Sequence, residues 1–154
     1  MNIRKLQQQA ASSVDELLSI SGDMDEYVIK AYGQAPQEVV AMQCRIQLER
    51  LKRLGKKLAE IREALVLMAE PEGGQMRTPG TPSSNVGLSM EQQRSIAVTE
   101  QLIAQNLLLI AQKEELLRGF LTHSDMVGMQ QKRAKDLQDT AEIIRLKEAL
   151  RNNL

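Results

Sequence analysis

The chain has 154 residues with one cysteine, Cys44, and one histidine, His123, the two side chains best suited to nucleophilic or metal chemistry. A structural zinc site needs about four clustered ligands at fixed spacing, and these two residues stand far apart in the sequence. Neither is surrounded by a motif for Cys–His catalysis. We predict no catalytic residue, no metal and no cofactor. Cys44 is interpreted as a small buried hydrophobe and His123 as a loop or kink residue.

A basic stripe follows the cysteine and is the second group that could do chemistry. It offers contacts to phosphate or to an acidic partner, but the chain has 20 basic and 20 acidic residues and only 2% aromatics. A protein that coats nucleic acid is usually clearly basic, so pairing with acidic segments is the favoured interpretation. A helical nucleic-acid-binding or regulatory protein stays the alternative. The stripe consists of Arg45, Arg50, Lys52, Arg53, Lys56 and Lys57.

A long helix over residues 36–70 must position this stripe. Pro36 suits its first turn, and Pro71 ends it because the residue before a proline leaves the helical region. Apolar residues recur along it at alternating spacings of four and three, with Gln47 in the same column. This pattern is typical of a helix that packs lengthwise against another helix. The predicted helix-packing seam is Val40, Cys44, Leu51, Leu54, Leu58, Ile61, Leu65 and Met68.

The segments on either side of this helix differ in character. Residues 1–33 predict short amphipathic helices, with a break at Ser21 and Gly22, a restart at Asp23 and an end at Gly33. Residues 71–88 hold three of the four prolines and four of the nine glycines. They predict a loop rather than a helix.

Residues 89–151 predict a second long helix with a kink near 119–128. Unbroken, it would be about 90 Å long at 1.5 Å per residue. Its first half carries an apolar face that is wider than a two-helix seam, so it is expected to lie at the centre of a bundle or to bind other copies. This oligomer or bundle face is Ile96, Leu102, Ile103, Leu109, Ile110, Leu116 and Leu117.

The second half of that helix has a thinner apolar trace between charged residues. The charged residues, Asp136 and Lys147 among them, are expected to form a solvated outer face. The predicted apolar trace is Met126, Met129, Ala134, Leu137, Ala141, Ile144, Leu150 and Leu154.

These patterns together predict an all-α protein, an elongated helical hairpin or bundle with coiled-coil-like packing. We expect a non-enzymatic structural or assembly protein whose partners are itself or other proteins of a larger complex. The Gln-, Ala- and Leu-rich texture of residues 92–113 resembles helical proteins of bacteriophage particles. It is also similar to the minor-pilin-like component of type IV secretion systems, which is the alternative.

The N-terminus has no apolar run of the kind found in signal peptides, and no stretch is long enough to span a bilayer. We expect synthesis in the cytoplasm, no membrane span, and incorporation into a virion if the protein is a particle component.

Overall fold

The computed structural model describes residues 3–69, 90–122 and 126–152, which form helices and turns without a strand. Helix α1 is Ile3–Met24 and continues into a π-helical turn, Asp25–Ile29. The remaining helices are α2, Gln37–Ala69, α3, Met90–Thr122, and α4, Met126–Asn152. The protein is therefore all-α. The predicted loop over 71–88 lies outside the described residues.

The N-terminal region is one helix rather than two, which corrects the predicted break at Ser21 and Gly22. Ile20 and Met24 are both fully buried, so packing outweighs the cost of about 1 kcal/mol for a glycine in a helix. The helix then widens into the π-turn. Gly33 follows with a φ of +81°, the left-handed conformation that commonly ends a helix at glycine.

Successive helices run in opposite directions, as their contacts demonstrate. Glu16 and Asp23 of α1 pair with Lys57 and Arg50 of α2 in reversed order. The same reversal relates α2 to α3, where Gly55 lies opposite Ile110 and Val40 lines the same cavity as Phe120.

Helix α4 runs back along α3 and also contacts α1. Lys113 of α3 pairs with Asp136, and Glu115 pairs with Lys132. Asp15 of α1 binds Lys147 of α4. The described helices thus form an up-down-up-down four-helix bundle.

Helices α1 and α3 are diagonal partners that run parallel and touch through the centre of the bundle. Gln7 donates a hydrogen bond to Thr99, and Lys113 donates one to Ser21, so both pairs have a sequence separation of 92 residues. A constant separation over these two heptads, about four helical turns, places Val14 opposite Asn106.

The structure differs from the expected elongated hairpin because residues 89–151 do not form one rod. Helix α4 instead lies antiparallel to α3 and packs along the bundle. The physical reason is that Met129, Ile143 and Leu150 of α4 are buried when it folds back. In an extended rod these side chains would face water at a cost of about 1.5–3 kcal/mol each.

Candidate functional site

The residues of the predicted helix-packing seam lie in the core of a single chain. All except Met68, which is partly buried, are at most 5% exposed. Gln47, in the same column, is also buried, and its side-chain oxygen accepts a hydrogen bond of 2.8 Å from Arg50. The seam therefore faces α1 and α3 of its own chain.

The predicted oligomer or bundle face of α3 lies in the same core. Ile96, the most exposed of its residues, is 6% exposed, and Leu102, Ile103, Leu109 and Leu117 are fully buried. The sequence left two alternatives for this wide face, the centre of a bundle or binding to other copies. In the structure α3 lies at the centre of a bundle, with α1, α2 and α4 around it. This surface is therefore already covered within the chain and is not available to a second copy.

A buried polar cluster that the sequence analysis missed joins three helices at the centre of the bundle. Lys113 Nζ donates hydrogen bonds to Asp136 Oδ2 at 2.8 Å, Ser21 Oγ at 3.1 Å and Thr140 Oγ1 at 3.4 Å. The lysine side chain is fully buried, and that of the aspartate is 2% exposed. All three ammonium protons thus have an acceptor, which is the condition for keeping a charge inside a protein.

Two further polar residues precede Lys113 at intervals of seven along α3. Thr99 accepts a hydrogen bond of 3.2 Å from Gln7 and donates one of 2.7 Å to the Ser95 carbonyl. Asn106 is fully buried, and neither atom of its amide has a hydrogen-bond partner among the described residues. The seven-residue spacing of positions 99, 106 and 113 is visible in the sequence. It was not recognised as a core column because its residues are polar and the predicted faces were defined by apolar residues.

The isolated cysteine, Cys44, lies in the core of the bundle rather than in a reactive site. Cys44 is completely buried, and burial raises the pKa of its thiol to about 11, so the reactive thiolate is scarce at neutral pH. His123 lies outside the described residues. Within the described ranges, no three His, Cys, Asp or Glu side chains come together to hold a metal ion.

A cavity lies at the end of the bundle where α2 begins and α3 ends. It has a volume of about 330 Å³ and is lined mainly by apolar groups, including Val40 and Leu121. Tyr32 and Phe120 border it in an edge-to-face pair with ring centroids 5.1 Å apart. None of the described residues that line it carries a charge, so its described lining is suited to apolar groups.

The basic stripe lies on the exposed side of α2, and half of it is paired with acidic residues. Arg50 binds Asp23, and Lys57 lies 3.9 Å from Glu16. Arg53 lies 3.5 Å from Glu49 on its own helix.

The other three cations, Arg45, Lys52 and Lys56, are exposed and have no ion pair among the described residues. Pairing with acidic residues, the favoured interpretation of the stripe, thus holds for Arg50, Arg53 and Lys57 among the described residues.

One surface of α2 repeats the spacing of the seam on the opposite side of the helix. Nine residues follow one another at alternating intervals of three and four, and every one of them is exposed. We call this set the α2 outer face. It consists of Val39, Met42, Ile46, Glu49, Arg53, Lys56, Glu60, Glu63 and Leu67.

The α2 outer face exposes large apolar side chains at both ends. Val39 is 42% exposed, Met42 50%, Ile46 44% and Leu67 64%. Met42, Ile46 and Arg45 border an open groove of about 380 Å³. The sequence analysis missed this face because five of its nine positions are charged, although the spacing itself was visible in the sequence.

Comparisons with protein-family models, curated proteins and solved structures find no match. The described helices also contain no apolar stretch that is long enough to cross a bilayer.

Proposed function

We propose that this protein is a non-enzymatic structural protein that self-associates through the α2 outer face and so forms oligomers or enters a larger assembly. The observation that supports the proposal is that Val39, Met42 and Ile46 are exposed on consecutive turns at one end of that face. Apolar residues at such spacing on an exposed helix are typical of a surface that packs against another helix. Scattered surface hydrophobes do not follow such a pattern.

Two features of the rest of the molecule favour this function. The core already buries the apolar faces of α1, α2 and α3, so the bundle can fold as one chain and present a rigid surface. The cavity beside Tyr32 is lined by uncharged residues, and Cys44 is enclosed with its thiol pKa raised to about 11. Binding through a surface therefore agrees better with the described side chains than catalysis does.

Sedimentation velocity on the full chain tests the proposal. The mass is measured at loading concentrations from about 1 μM to about 1 mM, which brackets the affinity of small interfaces. We expect the mass to rise above the monomer value of 17.3 kDa with concentration. The double substitution Met42→Glu and Ile46→Glu is expected to return the protein to a monomer, because it places charges in the apolar part of the face.

Leu108→Glu is the matched control. Leu108 is 47% exposed on α3, so the substitution adds a charge at a similarly exposed leucine elsewhere on the bundle. We expect this variant to associate as the unmodified chain does. The proposal is contradicted if the unmodified chain stays monomeric over the whole concentration range. It is also contradicted if Leu108→Glu loses association as fully as the double variant does.

A further inference from the structure

The cavity at the end of the bundle is large because small residues form part of its walls. Gly33 and Ala35 lie in the turn before α2, Ala41 lies near the start of α2, and all three line the space of about 330 Å³. A Cβ atom placed on Gly33 would have no neighbouring atom within 4 Å beyond the adjacent residues of the chain. The φ of +81° at Gly33 also makes any larger residue strained there, so this side of the cavity stays open.

The other walls that the structure describes are aromatic and aliphatic. Tyr32 and Phe120 stand edge to face with ring centroids 5.1 Å apart, and Val40 and Leu121 contribute branched aliphatic groups. The polar side chains of the described lining, those of Tyr32 and Gln37, are uncharged. A mostly apolar lining with a few polar groups is the usual composition of a small-molecule site.

The volume of the cavity and its access both suit a small molecule. Pockets for such ligands typically measure about 300–1,000 Å³, and an engineered apolar cavity of about 150 Å³ binds benzene. A space of about 330 Å³ therefore has room for roughly twice as many heavy atoms as benzene has. Gly33 and Gln37 are exposed, so a ligand can reach the cavity from solvent on their side.

We propose that this cavity is a binding site for one neutral apolar small molecule of the size of two fused rings. An ionised ligand would lose hydration without meeting a charged partner in the described lining, which is unfavourable. The rings of Tyr32 and Phe120 favour an aromatic ligand, because they add ring–ring contacts to the burial of apolar area. The inference goes beyond the proposed self-association, since no residue of this lining belongs to the α2 outer face.

Indole is the probe that tests the proposal, because it is neutral and has two fused rings. The protein contains no tryptophan, so the fluorescence of added indole can be observed without an indole background from the chain. A fixed low concentration of indole is titrated with the full chain. We expect a blue shift and a rise in anisotropy that saturate at one indole per chain, with a dissociation constant on the order of 0.1–1 mM for so small a ligand. Indole that stays in water throughout the titration overturns the proposal.

Filling the cavity locates the bound indole. Ala41→Leu adds a side chain to the lining and is expected to weaken indole binding about tenfold or more. Ala35→Leu fills the same space from the preceding turn and is expected to have the same effect, so the result does not depend on the folding of one variant. Unchanged binding in folded forms of both variants, as measured by circular dichroism, overturns the assignment of the site.

Ala59→Leu is the matched control on the same helix. Ala59 is exposed and lies 18 residues after Ala41, which is five turns of α2, so the two alanines point to the same side of the helix. We expect Ala59→Leu to bind indole as the unmodified chain does. An equal loss of binding in Ala59→Leu would show that the Ala41→Leu effect is not specific to the cavity, which contradicts the proposal.

Competition with a matched pair of ligands tests the preference for a neutral molecule. 1-Octanol and octanoate have the same chain length, and at about pH 8 the carboxyl group of octanoate is ionised. We expect 1-octanol to displace indole at a concentration about tenfold lower than octanoate does, because only the carboxylate loses a charge's hydration. Displacement by octanoate at an equal or lower concentration would overturn the assignment to neutral ligands.

Discussion

Lys113 of α3 and Asp136 of α4 form a salt bridge of 2.8 Å in which both side chains are almost completely removed from water. A buried ion pair adds little net stability compared with apolar residues of similar size, since both charges lose their hydration. The pair does discriminate between alternative alignments of α4 along α3, because any shift would leave two buried charges without partners. The pair therefore specifies how α3 and α4 align.

Removing one partner of this pair is expected to destabilise the bundle strongly. Asp136→Ala leaves the Lys113 ammonium buried and without its counter-charge, at a cost of about 3–5 kcal/mol in the free energy of unfolding. The double substitution Lys113→Met and Asp136→Leu should recover most of that loss. Urea unfolding followed by circular dichroism measures both.

The control Lys30→Met removes an exposed pair with Glu26 and should cost at most about 1 kcal/mol. An equally small effect of Asp136→Ala would show that the lysine escapes to water.

Replacing the unpartnered amide in the core is expected to stabilise the protein. Asn106→Leu removes two buried polar atoms that have no hydrogen-bond partner among the described residues, and should raise the free energy of unfolding by about 1–3 kcal/mol. Thr99→Val is the control in the same column. It removes the acceptor for Gln7 and should lower stability by about 0.5–1.5 kcal/mol. A destabilised Asn106→Leu variant would indicate that the amide makes a necessary contact.

Gly55 is expected to be replaceable by alanine in the middle of α2. A methyl group there would lie 4.0 Å from the Ile110 side chain, an ordinary contact distance, and glycine is a weak helix former. Gly55→Ala should therefore raise the free energy of unfolding by about 0.5–1 kcal/mol in thermal or urea unfolding. A loss of stability would show that α2 and α3 need the closer approach that glycine permits.

The ion pairs between α1 and α4 should make stability depend on pH in the acidic range. A hydrogen bond from Lys147, aided by Arg151, lowers the pKa of Asp15 below its ordinary value of 3.8. A lowered folded-state pKa contributes stability above pH 3.8 that is lost as the pH falls through the folded pKa.

The difference in unfolding free energy between the unmodified chain and Asp15→Asn should therefore be largest at neutral pH and shrink in acid. Urea unfolding at a series of pH values measures it. Lys147→Met should remove most of the same pH dependence, since it takes away the main cause of the shift. A difference that is constant across the series would contradict the assigned role of Lys147.

The predicted seam on α2 and the wide face on α3 were both recognisable in the sequence because their residues are apolar and periodic. Val40 through Leu65 and Ile96 through Leu117 occupy the core that this pattern indicates. Helix periodicity is a local property, so it can be read without knowing the neighbours. The same local information did not specify which helices would cover these faces.

Helix α4 illustrates where such inference stops. Its buried column is Met129, Asp136, Ile143 and Leu150, a strict seven-residue repeat. The predicted trace included Leu137 and Ile144, which are 49% and 40% exposed. Met129 and Leu150 of that trace are buried as predicted, but Asp136 was assigned to the solvent side because it is charged, so the middle of the column was shifted by one residue. Only the position of Lys113 on a different helix makes burial of that carboxylate favourable.

The sequence by itself determined the helical class, the core-facing stripes of α2 and α3, and the absence of clustered catalytic or metal-binding motifs, since all of these depend on residue type and spacing along the chain. The tertiary structure decided that α4 folds back onto α3, that the charges of Lys113 and Asp136 lie inside, and that the α2 outer face is the exposed periodic surface. These depend on which side chains meet across helices, and the free energy of such contacts belongs to pairs of residues that are distant in the sequence.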